Sequence, residues 1–129
     1  MNQRQLDWLI KGEKIPISAL INPWAVDVSD DGALQFPDLD VSWHPRTGIF
    51  TGGPMLGYLS GHAPALGPLD IHPSPLDWLR ANRLGVVVID WTSIFELLRD
   101  VPEIRVPAVL MRRYRDNMRP RHMPRVIQA

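Results

Sequence analysis

The stretch Leu84-Gly85-Val86-Val87-Val88-Ile89-Asp90-Trp91 constrains the fold more than any other part of this chain. Four consecutive β-branched residues are stiff at χ1 and suit a pleated surface. With no polar position to turn toward water, a strand built from them must be covered on both faces. The run from Leu84 to Ile89 is the longest apolar run in the sequence and is far too short to span a bilayer. No membrane association is expected.

The elements around this strand follow from local chemistry. Ser74-Pro75-Leu76-Asp77 supplies a cap, a proline at the first helical position and an acid in the first turn, which predicts a helix to about Asn82. After the strand, Ser93-Ile94-Phe95-Glu96 has the form of a capping box, and Ile94, Leu97 and Leu98 share one helical face. Glu103 to Val106 reads as a short edge strand beside Pro102, Pro107 to Met118 as a last helix, and Arg125 to Gln128 as a final short strand. A strand, helix, strand unit of this kind usually makes a right-handed parallel crossover.

The N-terminal half has a different period. Leu6, Leu9 and Ile10 predict a short helix over residues 3–11, stopped at Gly12, with Trp8 off its apolar stripe. Trp24, Val26 and Val28 alternate with polar or small residues, Asp31-Gly32 marks a two-residue turn, and Leu34 and Phe36 resume the alternation, which is a hairpin signal. A second hairpin runs from Val41 and Trp43 through Pro45-Arg46-Thr47-Gly48 to Ile49-Phe50-Thr51. Between about 52 and 73 the sequence GGPMLGYLSGHAPALGPLDIHP is punctuated by Gly and Pro throughout. It reads as an irregular arm, either a functional loop or a segment packing Met55, Leu56, Tyr58 and Leu66 onto the core or onto a second subunit.

The fold expectation is therefore α/β or α+β. It is a single small domain over 1–129 with a mixed sheet, N-terminal β-hairpins and a C-terminal helix-strand-helix-strand-helix unit. A chain of 129 residues with 45% apolar content can bury such a core. The absence of cysteine excludes disulfides, thiolate zinc sites and a cysteine nucleophile. The first residues do not have the form of a secretory signal, so a cytoplasmic location is expected.

Net charge is zero but strongly divided. Residues 1–50 and 51–104 each sum to −3, whereas residues 105–129 carry seven arginines against Asp116 and sum to +6. In the predicted last helix Leu110, Met111, Tyr114 and Met118 fall on one side and Arg112, Arg115 and Arg119 on the other. Arg121 and Arg125 follow on a segment broken by Pro120 and Pro124. A guanidinium fork suits bidentate pairing with phosphate or carboxylate. The competing reading neutralises these arginines internally against the acids of 27–40 or 96–103.

Other candidate chemistry is weaker. Asp90 stands at a strand end, where acids can serve as bases or metal ligands in open α/β sheets, but an acid just ahead of a helix is also favoured by the exposed N–H groups there. His62 and His72, with Asp70, make an imaginable metal set without the spacing of a known helix-borne site. His44 and His72 each precede proline, which favours a structural role. Asp38-Leu39-Asp40 reads as an acidic turn, and Gly52-Gly53-Pro54 forms no phosphate cradle.

The leading expectation is thus a non-enzymatic binding or accessory protein. Arg112, Arg115, Arg119, Arg121 and Arg125 engage an anionic macromolecule, an acidic protein surface or a nucleic-acid backbone, and no cofactor is expected. The alternatives are a small metal-dependent or hydrolytic enzyme using Asp90 with His62 or His72, and a homo-oligomeric structural subunit.

Overall fold

The computed structural model describes residues 1–21, 25–57, 67–120 and 127–128. Helix α1, Gln3–Asp7, is opened by Asn2, whose side chain accepts from the Gln5 N–H while the Gln5 side chain accepts from the Asn2 N–H. The helix then widens into a π turn over Trp8–Gly12, closed by Glu13 N–H to Trp8 O at 2.9 Å. This extra residue per turn rotates the stripe, so Trp8 packs against the core beside Leu6 and Ile10 while Leu9 is fully enclosed. The chain reverses at Lys14, which adopts a left-handed φ of 60°, two residues later than Gly12 predicts. A second short helix, α2 over Ile17–Ile21, carries no cap or periodic signal in the sequence and buries Ala19 and Leu20.

Four short strands follow as an antiparallel meander: β1 Asp27–Val28, β2 Leu34–Phe36, β3 Val41–Trp43 and β4 Phe50–Thr51. Their inward residues Val28, Leu34, Phe36, Val41 and Trp43 are buried, as the period-two pattern requires. Val28 opposes Leu34 and Trp43 opposes Phe50, so both predicted hairpins form in register. The first turn differs in one respect. Ser29 N–H reaches Ala33 O at 2.9 Å, leaving three loop residues, Asp30, Asp31 and Gly32, the last at φ 89°. A three-residue loop ending in a left-handed glycine replaces the expected two-residue turn.

Two further pairings build the second half. Strand β5, Met55–Gly57, is antiparallel to β7, Val86–Val88, and β6, Leu69–Asp70, is parallel to β8, Ile104–Arg105. An isolated parallel bridge from Ile71 to Val86 joins the two pairs, giving the order β5, β7, β6, β8. Strands β5 and β6 correct the reading of 52–73 as wholly irregular. Pro54, Pro68 and Pro73 stand outside the paired residues, so their missing N–H groups cost no ladder bond, and the Pro54 carbonyl accepts from both Ile89 and Asp90. Gly57 is at φ 97° with space for no Cβ: one would lie 2.5 Å from the Gly85 carbonyl oxygen. Met55 and Leu56 are buried, whereas Tyr58, Leu66 and the rest of 58–66 lie outside the described residues.

The helices connect these strands. Helix α3, Pro75–Arg80, is capped by Ser74, which accepts from Asp77 N–H and donates to the Asp77 carboxylate at 2.8 Å. It ends before Asn82 and Arg83, both at left-handed φ. Helix α4, Ile94–Leu98, lies between β7 and β8, and α5, Met111–Asn117, follows a 3₁₀ turn over Ala108–Leu110. The predicted β7, α4, β8 unit does run between parallel strands, but β6 lies between them, so the two never pair directly. Of the predicted strand at 125–128, Ile127 and Gln128 are not in a strand and the other two residues lie outside the described part. The architecture is a small mixed α+β fold with an N-terminal antiparallel sheet.

Strand β7 divides the interior in two. Val87, with Leu56 from β5, joins a cluster holding Leu9, Leu20, Val28, Leu34, Phe36, Trp43, Trp78 and Leu79. Val86 and Val88, with Met55, join a second cluster of Leu69, Ile71, Ile94 and Leu98, against which Tyr114 and Met118 pack. Alternate side chains of one strand thus enter separate cores. Leu56→Ala is expected to cost about 2–5 kcal/mol in urea unfolding, whereas Val109→Ala, at a residue 76% exposed, should stay within about 0.5 kcal/mol of the parent.

Candidate functional site

Helix α5 presents the charge pattern that its sequence predicts. Leu110, Tyr114 and Met118 face the second core, Met111 is half-buried without joining it, and Arg112, Arg113, Arg115 and Arg119 are exposed. The Arg113 guanidinium lies 5.7 Å from the Trp91 ring, a cation–π contact that fixes one arginine at the flank. Arg119 folds back on its own turn, donating from Nε to the Asp116 carbonyl at 3.1 Å and lying 3.9 Å from its carboxylate. Among the described residues Arg112 and Arg115 make no ion pair or side-chain hydrogen bond. Arg121 and Arg125 lie outside the described residues.

Three of the acids available for internal neutralisation are engaged elsewhere. Asp27 lies 3.0 Å from the terminal ammonium, Asp31 is bonded by the Ser29 hydroxyl, and Glu96 pairs with Arg99 at 3.8 Å. Hydrogen bonding from the terminal ammonium, then from the Val28 N–H, holds the Asp27 carboxyl below the ordinary aspartate range. Among the described residues of the basic segment, only Arg105 forms an ion pair across the sequence, to Asp70 at 3.3 Å on the rim where β6 and β8 pair.

Asp90 is the cap of the turn that precedes α4. Its carboxylate accepts from Thr92 N–H at 3.1 Å, the Thr92 hydroxyl at 2.6 Å and the Ser93 hydroxyl at 2.8 Å. Ser93 is therefore a donor to Asp90, its own side chain caps nothing, and the predicted Ser93–Glu96 box does not form. The reason is the 3₁₀ turn Trp91–Ser93, which moves the first exposed N–H groups three residues earlier.

His72 is equally committed. Its Nε2 donates to the Leu84 carbonyl at 2.7 Å, and its backbone N–H reaches Val86 O at 2.8 Å, clamping the start of β7. Gly85, at φ 91°, lets that carbonyl and ring approach, since a Cβ there would stand 2.9 Å from His72 Nε2. Asp90 lies past the opposite end of the strand, on the order of 15–20 Å along an extended chain. The structure does not bring the two together, and His62 lies outside the described residues. Among the described residues no three His, Asp or Glu side chains converge as metal ligands.

Two clefts were not legible in the sequence. One, of about 430 Å³, is lined by Asp70, His72, Asp77, Arg80 and Arg105, and its charges are mutually satisfied: Arg80 pairs with Glu13 at 2.5 Å and Asp77 at 2.9 Å. The other, of about 550 Å³, lies between α1 and the two hairpin turns and is lined by Arg4, Trp8, Val28, Asp30, Asp31, His44, Pro45 and Arg46. Its frame is hydrogen-bonded. Gln5 Nε2 donates to Ser29 O at 3.2 Å, His44 Nδ1 accepts from Arg46 N–H at 3.2 Å, and His44 Nε2 therefore donates to Asp31 O at 3.1 Å. Residues 4, 8, 30, 44 and 46 come from three elements that only chain reversal brings together. No helix among the described residues is long and apolar enough to cross a membrane.

The Ser29 hydroxyl, the largest influence, holds the Asp31 carboxyl below the ordinary aspartate range. A depressed folded value stabilises the fold above the ordinary carboxylate range, and that contribution is lost as pH falls through the folded value. Ser29→Ala should move the Asp31 titration, followed by carboxyl-carbon NMR, up toward ordinary aspartate. Asp90→Ala should cost about 0.5–2 kcal/mol in chemical denaturation, as loss of a helix cap does.

Comparison with protein-family models, curated proteins and solved structures finds no match for this chain.

Proposed function

We propose that this chain is a non-enzymatic binding domain whose C-terminal arginine face, Arg112, Arg115 and Arg119 with Arg121 and Arg125 following, docks onto an anionic macromolecule. One observation carries the reading. Arg112 and Arg115 stand exposed on α5 without an ion pair among the described residues, although the chain carries as many acids as bases. Ion pairs on a protein surface are weak, so charges left solvated in this way cost little and remain available to a partner. The inward face of α5 supplies rigidity, because Tyr114 and Met118 are packed on the second core.

The same packing bears on the partner's chemistry. Tyr114, the one aromatic ring of α5, is turned inward, so the arginine face has no platform of its own for stacking unpaired bases. Phosphate contact would be made to a duplex backbone, without reading base edges. An acidic protein surface satisfies the same guanidinium forks.

Titrating duplex DNA at a series of salt concentrations tests the nucleic-acid form. Neutralisation of three phosphates by Arg112, Arg115 and Arg119 gives a slope of about −2.7 in log Kobs against log salt, and five give about −4.5. A partner captured from lysate that survives nuclease treatment and is released by salt indicates the acidic protein surface. Arg112→Glu, Arg115→Glu and Arg119→Glu together should abolish capture of either partner while leaving the urea midpoint unchanged. A triple variant that binds as the parent does, or that unfolds, would remove the reading.

A further inference from the structure

The cleft between α1 and the hairpin turns differs from its neighbour in what its charges lack. Asp31 is engaged by the Ser29 hydroxyl and has the His44 ring 3.9 Å from its carboxylate. Arg4, Arg46 and Asp30 line the same cleft, are exposed, and make no ion pair or side-chain hydrogen bond among the described residues. Arg4, Arg46 and Asp30 thus bring two guanidinium groups and one carboxylate, each without a partner among the described residues, to a cleft that the hydrogen-bonded Asp31 also lines. Beside them Trp8, Val28 and Pro45 supply apolar lining. The Trp8 indole N–H is turned away to the Glu13 carboxylate at 3.2 Å, which fixes the ring against α1.

A plain anion would meet Asp30, and a plain cation would meet the two arginines. A ligand that satisfies all three carries both signs at separate ends, with an apolar part between or beside them. We propose that this cleft binds a small zwitterion of the amino-acid or dipeptide class, its carboxylate on Arg4 and Arg46, its ammonium on Asp30 and its side chain against Trp8, Val28 and Pro45. Guanidinium forks match a carboxylate bidentately, and a volume of about 550 Å³ falls in the range of small-molecule sites. The frame is preorganised, because the Gln5 bond to Ser29 and the His44 bond to Asp31 hold all three walls before any ligand arrives. This site is separate from the arginine face of α5 and does not depend on it.

The test is an amide and indole NMR titration of the full chain with phenylalanine and with the dipeptide Gly-Phe. N-acetyl-Gly-Phe, which has no ammonium, and Gly-Phe amide, which has no carboxylate, serve as matched probes. Shifts should concentrate at Arg4, Trp8, Asp30 and Arg46, and each blocked probe should bind at least about tenfold more weakly than the zwitterion. Whichever of phenylalanine and Gly-Phe binds more tightly identifies the ligand's length. Arg46→Gln should weaken Gly-Phe without changing the amide, and Asp30→Asn should weaken Gly-Phe without changing the acetylated form. The variant carrying glutamate at 112, 115 and 119 should bind Gly-Phe as the parent does. No shift for either zwitterion at ~10 mM, or blocked probes binding as tightly, overturns the proposal.

Discussion

The two-sided burial of Val86, Val87 and Val88 is the constraint on which the rest of this structure depends. Val87 closes the core formed by the meander, α1 and α3, while Val86 and Val88 close the core formed by α4, α5 and the parallel strands. Neither half could fill its interior without this strand. Its backbone is secured from both sides, by β5 in antiparallel pairing and by the Ile71 bridge in parallel pairing. A valine run tolerates such a position because each side chain is compact, stiff and free of any group needing a hydrogen bond.

The strand's two ends explain the fate of the residues that looked chemical. At its start His72 fixes the Leu84 carbonyl, and Gly85 makes room for the ring. Past its end Asp90 gathers three donors from Thr92 and Ser93 and turns the chain into α4. Both side chains make hydrogen bonds that hold the ends of a core strand in place. Charge with room to act is found instead on elements that pack with one face only: the outer side of α5, and the cleft walls contributed by α1 and two tight turns.

That distribution also explains why zero net charge misleads for this molecule. The basic and acidic totals balance, yet the arginines of α5 and the acids of the N-terminal half do not meet among the described residues. Among the described residues half of the ion pairs join groups three or four residues apart, and the other half reach across the sequence, from the terminal ammonium to Asp27, His44 to Asp31, Arg80 to Glu13 and Arg105 to Asp70. Arg80 to Glu13 ties α3 to the π turn around the first core, and Arg105 to Asp70 ties β8 to β6 beside the second.

Local sequence determined what local physics governs. Alternation placed Val28, Leu34, Phe36, Val41 and Trp43 inward, Ser74-Pro75 began a helix, an unbroken valine run announced a strand covered twice, and helical spacing put Arg112, Arg115 and Arg119 on an open face. Tertiary structure alone decided the rest. It drew strands from a Gly- and Pro-rich segment by offering β7 and β8 as templates, since three-residue strands have too little periodicity to be read without a partner. It moved a cap from Ser93 to Asp90 through one 3₁₀ turn. It also assembled Arg4, Trp8, Asp30 and Arg46 around one cleft, because a site built from three separated elements has no spacing in the chain to betray it.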